Sequence, residues 1–137
     1  MLWREATGDI ENGAEFAPRF SAEGLITCVT IDARDGAVLM LAHMNADALQ
    51  KTLETGVVHY WSRSRSALWR KGDTSGHIQT LVDLRVDCDG DTLLVLVEQT
   101  GVACHTGRHN CFFRAVRNGE LKTIAPVLVD MDHRADG

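Results

Sequence analysis

The stretch Ile78–Glu98 sets the tightest limit on how this chain can fold. Ile78, Thr80, Val82, Leu84 and Val86 alternate with other residues, TLLVLVE follows at Thr92–Glu98, and Asp89-Gly90 stands between. Period-two alternation interrupted by Asp-Gly is a β-hairpin signal. The first arm predicts a strand with those five residues on one face, and the second predicts a buried strand. The connection is VDCDGD, with Asp87, Asp89 and Asp91 at alternate positions and Cys88 between the first two. In extended chain the carboxylates share a side and the thiol points away. Like charges so close repel unless a cation sits among them. A solvated turn is the plainer reading of the same residues. An EF-hand does not fit, because Thr92 occupies the position that requires Gly and the following residues read as a strand.

The remaining segments predict an α+β fold with a mostly antiparallel sheet, several hairpins and one clear helix. Leu25–Asp32 reads as a strand, Asp35-Gly36 as a turn and Ala37–Ala42 as a returning strand. Asn45 is a helix N-cap with Asp47 in the first turn; Ala46, Leu49 and Leu53 recur at helical spacing, and Gly56 ends the helix. Val57–Ser62, Phe112–Val116 and Lys122–Leu128 are further strands, and a short helix is expected around Glu11–Phe16. No repeat or linker divides the 137 residues, so a single domain spanning 1–137 is expected.

A net charge of −5 argues against a general nucleic-acid binder. No apolar run approaches the roughly 20 residues of a membrane span. The acidic N-terminus lacks a signal-peptide core, so a cytoplasmic location is expected. In that compartment Cys28, Cys88, Cys104 and Cys111 read as metal ligands, catalytic groups or core rather than disulfides. Cys28 sits in an apolar strand and reads as core. Cys104 and Cys111 flank HTGRHN, a polar loop suited to a thiolate pair for zinc. With Cys88 they would leave a fourth position, open to water or to one of His43, His59, His77, His105 and His109. The three aspartates suit a hard cation, Mg²⁺ above all.

The third chemistry-bearing segment is WSRSRSALWRKGDTSGHIQ, Trp61–Gln79. It gathers Arg63, Arg65, Arg70 and Lys71 with five hydroxyl side chains in an acidic protein, which suits one or two phosphates. A solvated basic face is the plainer alternative. Trp61 and Trp69 read more readily as core than as base-stacking platforms.

Taken in order, WSRSRSALWRKGDTSGHIQ, DCDGD and CHTGRHNCFF resemble the phosphoribosyl-AMP cyclohydrolase family of histidine biosynthesis, over about residues 24–116. GAVLMLAHMNADAL fits the family's early segment, and Asn110 departs from the Ser expected before the last cysteine. The resemblance implies Mg²⁺ on Asp87, Asp89 and Asp91, and Zn²⁺ on Cys88, Cys104 and Cys111, one of each per subunit. It further implies an interlocked homodimer in which one subunit supplies Cys88 and its partner the other two thiols. The implied reaction is hydrolytic opening of the N1–C6 bond of 1-(5-phosphoribosyl)-AMP by a zinc-activated water. His105 is the expected proton carrier and His77 the second candidate. Arg63, Arg65, Arg70 and Lys71 are expected at the two phosphates. The monofunctional form is expected, with the pyrophosphohydrolase that some members carry residing on another polypeptide. Two alternatives stand beside this reading. A nucleotide deaminase would carry H-x-E and P-C-x-x-C, which are absent here. A non-catalytic zinc-stabilised module would need four protein ligands and no aspartate triplet.

Overall fold

The computed structural model describes residues 13–130. Among them the elements run β1 Ile26–Asp32, β2 Val38–Met44, α1 Ala46–Thr55, β3 His59–Ser62, β4 Ala67–Arg70, β5 Gln79–Val86, β6 Thr92–Gln99, β7 Arg114–Arg117 and β8 Glu120–Thr123. The α+β expectation holds. Four strands form the main sheet in the order β2-β1-β6-β5, while β3–β4 and β7–β8 are separate hairpins. All pairings are antiparallel except β1 with β6, which is parallel. None of the described helices is long and apolar enough to cross a membrane.

Alternation in β1 and β6 builds the core. Ile26, Cys28 and Thr30 of β1 and Leu93, Val95 and Val97 of β6 are fully or almost fully buried on one face. Leu39, Met44, Leu49, Val58 and Tyr60 close over them. β6 is therefore buried on one face, with Leu94 and Leu96 half-exposed on the other.

β5 departs from the expected single face. Leu81 pairs with Val97 and Asp83 with Leu96, so Val82 is an extra residue in the ladder. Such a bulge moves every later side chain to the opposite phase. Gln79 and Leu81 therefore turn inward before it and Leu84 after it, whereas Thr80, Val82 and Val86 are exposed.

The helix forms as its caps predict. Asn45 Oδ1 accepts the Ala48 N–H at 2.9 Å, and Gly56 adopts φ 74° while its N–H bonds to the Thr52 carbonyl. Ala48, Leu49 and Thr52 form the buried stripe; Leu53, expected there, is largely exposed. β4 was not anticipated, because its ALWR sequence is masked by the surrounding charges. Trp69, whose ring centroid lies 5.2 Å from that of Tyr60, anchors it to the core. The expected helix at Glu11–Phe16 lies partly outside the described residues, and Gly13–Phe16 are not helical. The last expected strand, Lys122–Leu128, is shorter and earlier, at Glu120–Thr123.

Two measurements check this packing. Asn45→Ala should lower stability by about 1 kcal/mol, read from urea unfolding, because one helix N–H loses its acceptor. Burial pushes the Cys28 thiol up to about 12, whereas Cys88 is exposed. Alkylation of native, metal-stripped protein at neutral pH should therefore modify Cys88 and spare Cys28, as peptide mapping would show.

Candidate active site

A cavity of about 550 Å³ opens where β2, the β3–β4 hairpin and the loop after β6 converge. Trp61, Arg63 and Trp69 come from the hairpin region, His43 from β2, and His105 and Cys111 from the loop. The two tryptophans are half-buried walls of this space. Both were expected in the core: Trp69 does pack against it while also lining the cavity, and Trp61 turns towards the open space. Burial, with Arg63 nearby, holds the His43 imidazole below its ordinary pKa.

The cysteine loop closes on itself. Ala103 N–H bonds to the His109 carbonyl and Cys104 N–H to the Arg108 carbonyl, both at 3.2 Å, and Cys111 N–H reaches the Leu39 carbonyl at 2.7 Å. Gly107 makes this possible, with φ 82° and no room for a Cβ beside the Val129 carbonyl. The thiols of Cys104 and Cys111 are thereby brought into contact, and Thr106 Oγ1 donates to Cys104 Sγ at 3.0 Å. Desolvation, then the neighbouring Cys104, pushes the Cys111 thiol pKa up, while the Lys71 ammonium acts in the other direction.

Lys71 is only 3% exposed. Its Nζ donates to the Ala103 carbonyl at 2.6 Å and lies 5.5 Å from the Trp69 ring centroid. The other cations of the basic segment are placed differently. Arg63 lines the cavity, Arg65 contacts Ser62 Oγ, and Arg70 pairs with Asp73 at 3.2 Å. Arg65 and Arg70 are outside the cavity lining.

The histidines also separate. His105 lines the cavity. His77 does not; its Nδ1 is held by the backbone of Val102, 3.1 Å from the N–H and 3.3 Å from the carbonyl. Gly101 is required there, since a Cβ would stand 2.7 Å from His77 Nδ1. His59 Nδ1 is engaged with the Val57 carbonyl. His109 Nε2 lies 3.8 Å from Asp32, a nearly buried carboxylate at the end of β1. Hydrogen bonds from Arg34 hold that carboxyl below the usual carboxylate range. Asp32 went unnoticed in the sequence because it ends an apolar strand and belongs to no metal or phosphate pattern.

The aspartate turn stands apart from the cavity lining. Oxygens of Asp87, Asp89 and Asp91 all lie within 4.8 Å of one another, on exposed side chains. The turn is held by Asp87 Oδ1, which accepts the Asp91 and Thr92 N–H groups at 3.1 and 3.3 Å. Among the described residues this triplet is the group of metal-ligating side chains that one chain assembles; Cys88 does not join Cys104 and Cys111 within it.

Comparison with known proteins matches these features. The phosphoribosyl-AMP cyclohydrolase family model aligns with residues 40–113, a span holding the cavity walls, the aspartate turn and the cysteine loop. The chain is 56% identical to a phosphoribosyl-AMP cyclohydrolase of Nitrobacter hamburgensis over 127 residues, 93% of this chain and 86% of that protein. It is 51% identical over 136 residues to one of Nitrobacter winogradskyi, covering 99% and 94%. A Brucella anthropi protein of the same name is 56% identical over 128 residues, covering 90% and 91%. With thiols, aspartates and basic hairpin all falling inside the matched region, this chain belongs to the phosphoribosyl-AMP cyclohydrolase family of hydrolases.

Proposed function

We propose that this protein opens the adenine ring of 1-(5-phosphoribosyl)-AMP at the N1–C6 bond, as a cytoplasmic step of L-histidine biosynthesis. The observation that carries this reading is the meeting of Lys71 and Cys111, with Cys104 against that thiol, at a cavity that also holds His105, Arg63 and two indoles. At about 550 Å³ the space suits a nucleotide-sized ligand. The faces of Trp61 and Trp69 offer apolar walls for a purine. Arg63, with the hydroxyls of Ser62 and Ser64 beside it, suits one phosphate. Arg65 and Arg70 serve the second; the exposed Arg70–Asp73 pair costs little to exchange for a phosphate. Lys71 stays near the thiols, where its charge favours the ionised form of Cys111.

The donor sets fit two metals. Two touching thiols beside a buried ammonium suit zinc, and an exposed Cys88 on the aspartate turn supplies the third sulfur from a partner subunit. Zinc held there supplies Lewis acidity that brings the pKa of a water towards neutrality. The clustered oxygens of Asp87, Asp89 and Asp91 suit Mg²⁺. We read one of each ion per subunit. His105 takes the proton from the attacking water and delivers it to N1 as the bond to C6 breaks. His77 is the second candidate to carry that proton. An interlocked homodimer is supported by apolar side chains left outside the core: Val38 and Leu41 of β2 are about half exposed, beside half-buried Val29 and Ile31 of β1.

The wild-type protein with Zn²⁺ and Mg²⁺ should convert phosphoribosyl-AMP, followed by product absorbance. Cys88→Ala and Cys104→Ala should each be inactive. Their mixture, after subunit exchange, should recover up to about a quarter of wild-type activity, since half the dimers are mixed and each has one intact site. A wild type that leaves the substrate unchanged sinks the activity. Folded, exchanging mutants that recover nothing place the metal within one chain.

A second expectation concerns pH. The raised Cys111 thiol is protonated in the metal-free protein at neutral pH, so metal uptake must release that proton. Zinc affinity should therefore rise with pH, by about tenfold per unit for each proton released. Chelator competition at two pH values checks the sign.

A further inference from the structure

Two buried amides lie directly behind the cysteine loop. Gln79 of β5 and Gln99 of β6 are opposite one another in the sheet, 0% and 5% exposed. Gln79 Nε2 donates to Gln99 Oε1 at 2.9 Å. Gln79 Oε1 accepts from the Tyr60 hydroxyl at 2.7 Å. That commits the single phenolic proton, so the Thr30 hydroxyl, 2.6 Å away, donates to the Tyr60 oxygen. The chain has one direction: Thr30 to Tyr60 to Gln79 to Gln99.

Gln99 Nε2 ends the chain against backbone carbonyls. Thr100 O lies at 2.9 Å, His77 O at 3.2 Å, and Ile78 O and Val102 O at 3.4 Å. Neither amide can turn over without setting oxygen against oxygen. The next groups along the loop are held as well: Val102 N–H by His77 Nδ1 and the Ala103 carbonyl by Lys71 Nζ. Cys104 and His105 follow immediately. Burying two amides and two hydroxyls is costly unless each is satisfied, and an apolar core could fill the same volume. What this network adds is a single permitted orientation for each donor that meets the loop.

We propose that Gln99, oriented by Gln79 and Tyr60, is a positioning residue for the backbone of residues 100–104, and through it for Cys104 and His105. The proposal rests on the reading of the cavity as the site of hydrolysis. Its test uses the full-length, metal-loaded protein carrying Gln99→Met, which keeps bulk and removes the donor. Tyr60→Phe breaks the chain before Gln79, without touching the loop. Ile26→Val is the control for a plain loss of core packing.

Steady-state kinetics and amide hydrogen exchange are measured for each. Gln99→Met should lower kcat about tenfold or more while KM stays within about twofold. Its amides at 100–105 should exchange about tenfold faster or more while those of β1 and β6 keep their protection. Tyr60→Phe should show the same pattern at smaller size, and it carries the test if Gln99→Met does not fold. Ile26→Val should lower stability and leave both kcat and loop exchange unchanged. Unchanged loop exchange in the amide or tyrosine variant overturns the proposal. So does acceleration spread evenly over the sheet, or the same loop effect in Ile26→Val. Exchange needs no substrate, so a loosened loop in a protein that never turned over phosphoribosyl-AMP would refute the proposed reaction and leave the positioning role intact.

Discussion

The parallel pairing of β1 with β6 is the constraint on which the rest of this structure depends. It runs from Thr27 beside Thr92 to Asp32 beside Val97, joining two hairpins separated in sequence by residues 45–78. Each hairpin alone would be marginal in water. Joined, they form a four-stranded sheet whose inner face buries Ile26, Cys28, Leu93, Val95 and Val97 together. Such a non-local pairing carries a large loop-closure cost and is repaid by that shared apolar face. It also sets two polar residues where they matter. Thr30 meets Tyr60 across the core, and Asp32 arrives within reach of His109 on the cysteine loop.

The site follows from that frame. The loop after β6 must turn away from the sheet at Gln99, and it returns at Cys111 to bond with the Leu39 carbonyl of β2. Both ends are thus fixed to the sheet, and the thiols meet between them. The β3–β4 hairpin lies over this point because Tyr60 and Trp69 pack into the core while Trp61 and Arg63 turn towards the open space. Lys71, at the hairpin's end, is buried where it can offset negative charge on two neighbouring sulfurs. The aspartate turn belongs to the opposite end of β6 and stays exposed. One strand therefore separates the oxygen-donor cluster from the thiol pair of the same chain. In the proposed zinc site, that separation is why Cys88 would come from a second subunit.

Elements whose signal is local were legible in the residues alone. The helix was marked by Asn45 and Gly56, because capping is satisfied within a few residues. The β5–β6 hairpin was marked by Asp89-Gly90, and the three aspartates were visible as a candidate cation site, although a turn rather than extended chain brings them together. The core position of Cys28 followed from its strand, and the family from three ordered motifs. Tertiary structure decided what depends on distant partners. The bulge at Val82 reverses the face of β5, and no period-two pattern reveals where a ladder gains a residue. Four cations sat within nine residues of sequence, yet the fold places Arg63 and Lys71 at the cavity and Arg65 and Arg70 outside its lining. The buried line of Thr30, Tyr60, Gln79 and Gln99 is drawn from four strands, and each residue looks ordinary in its own segment. Hydrogen bonds of that kind are set by side chains converging from separate strands, so only the assembled sheet could show them.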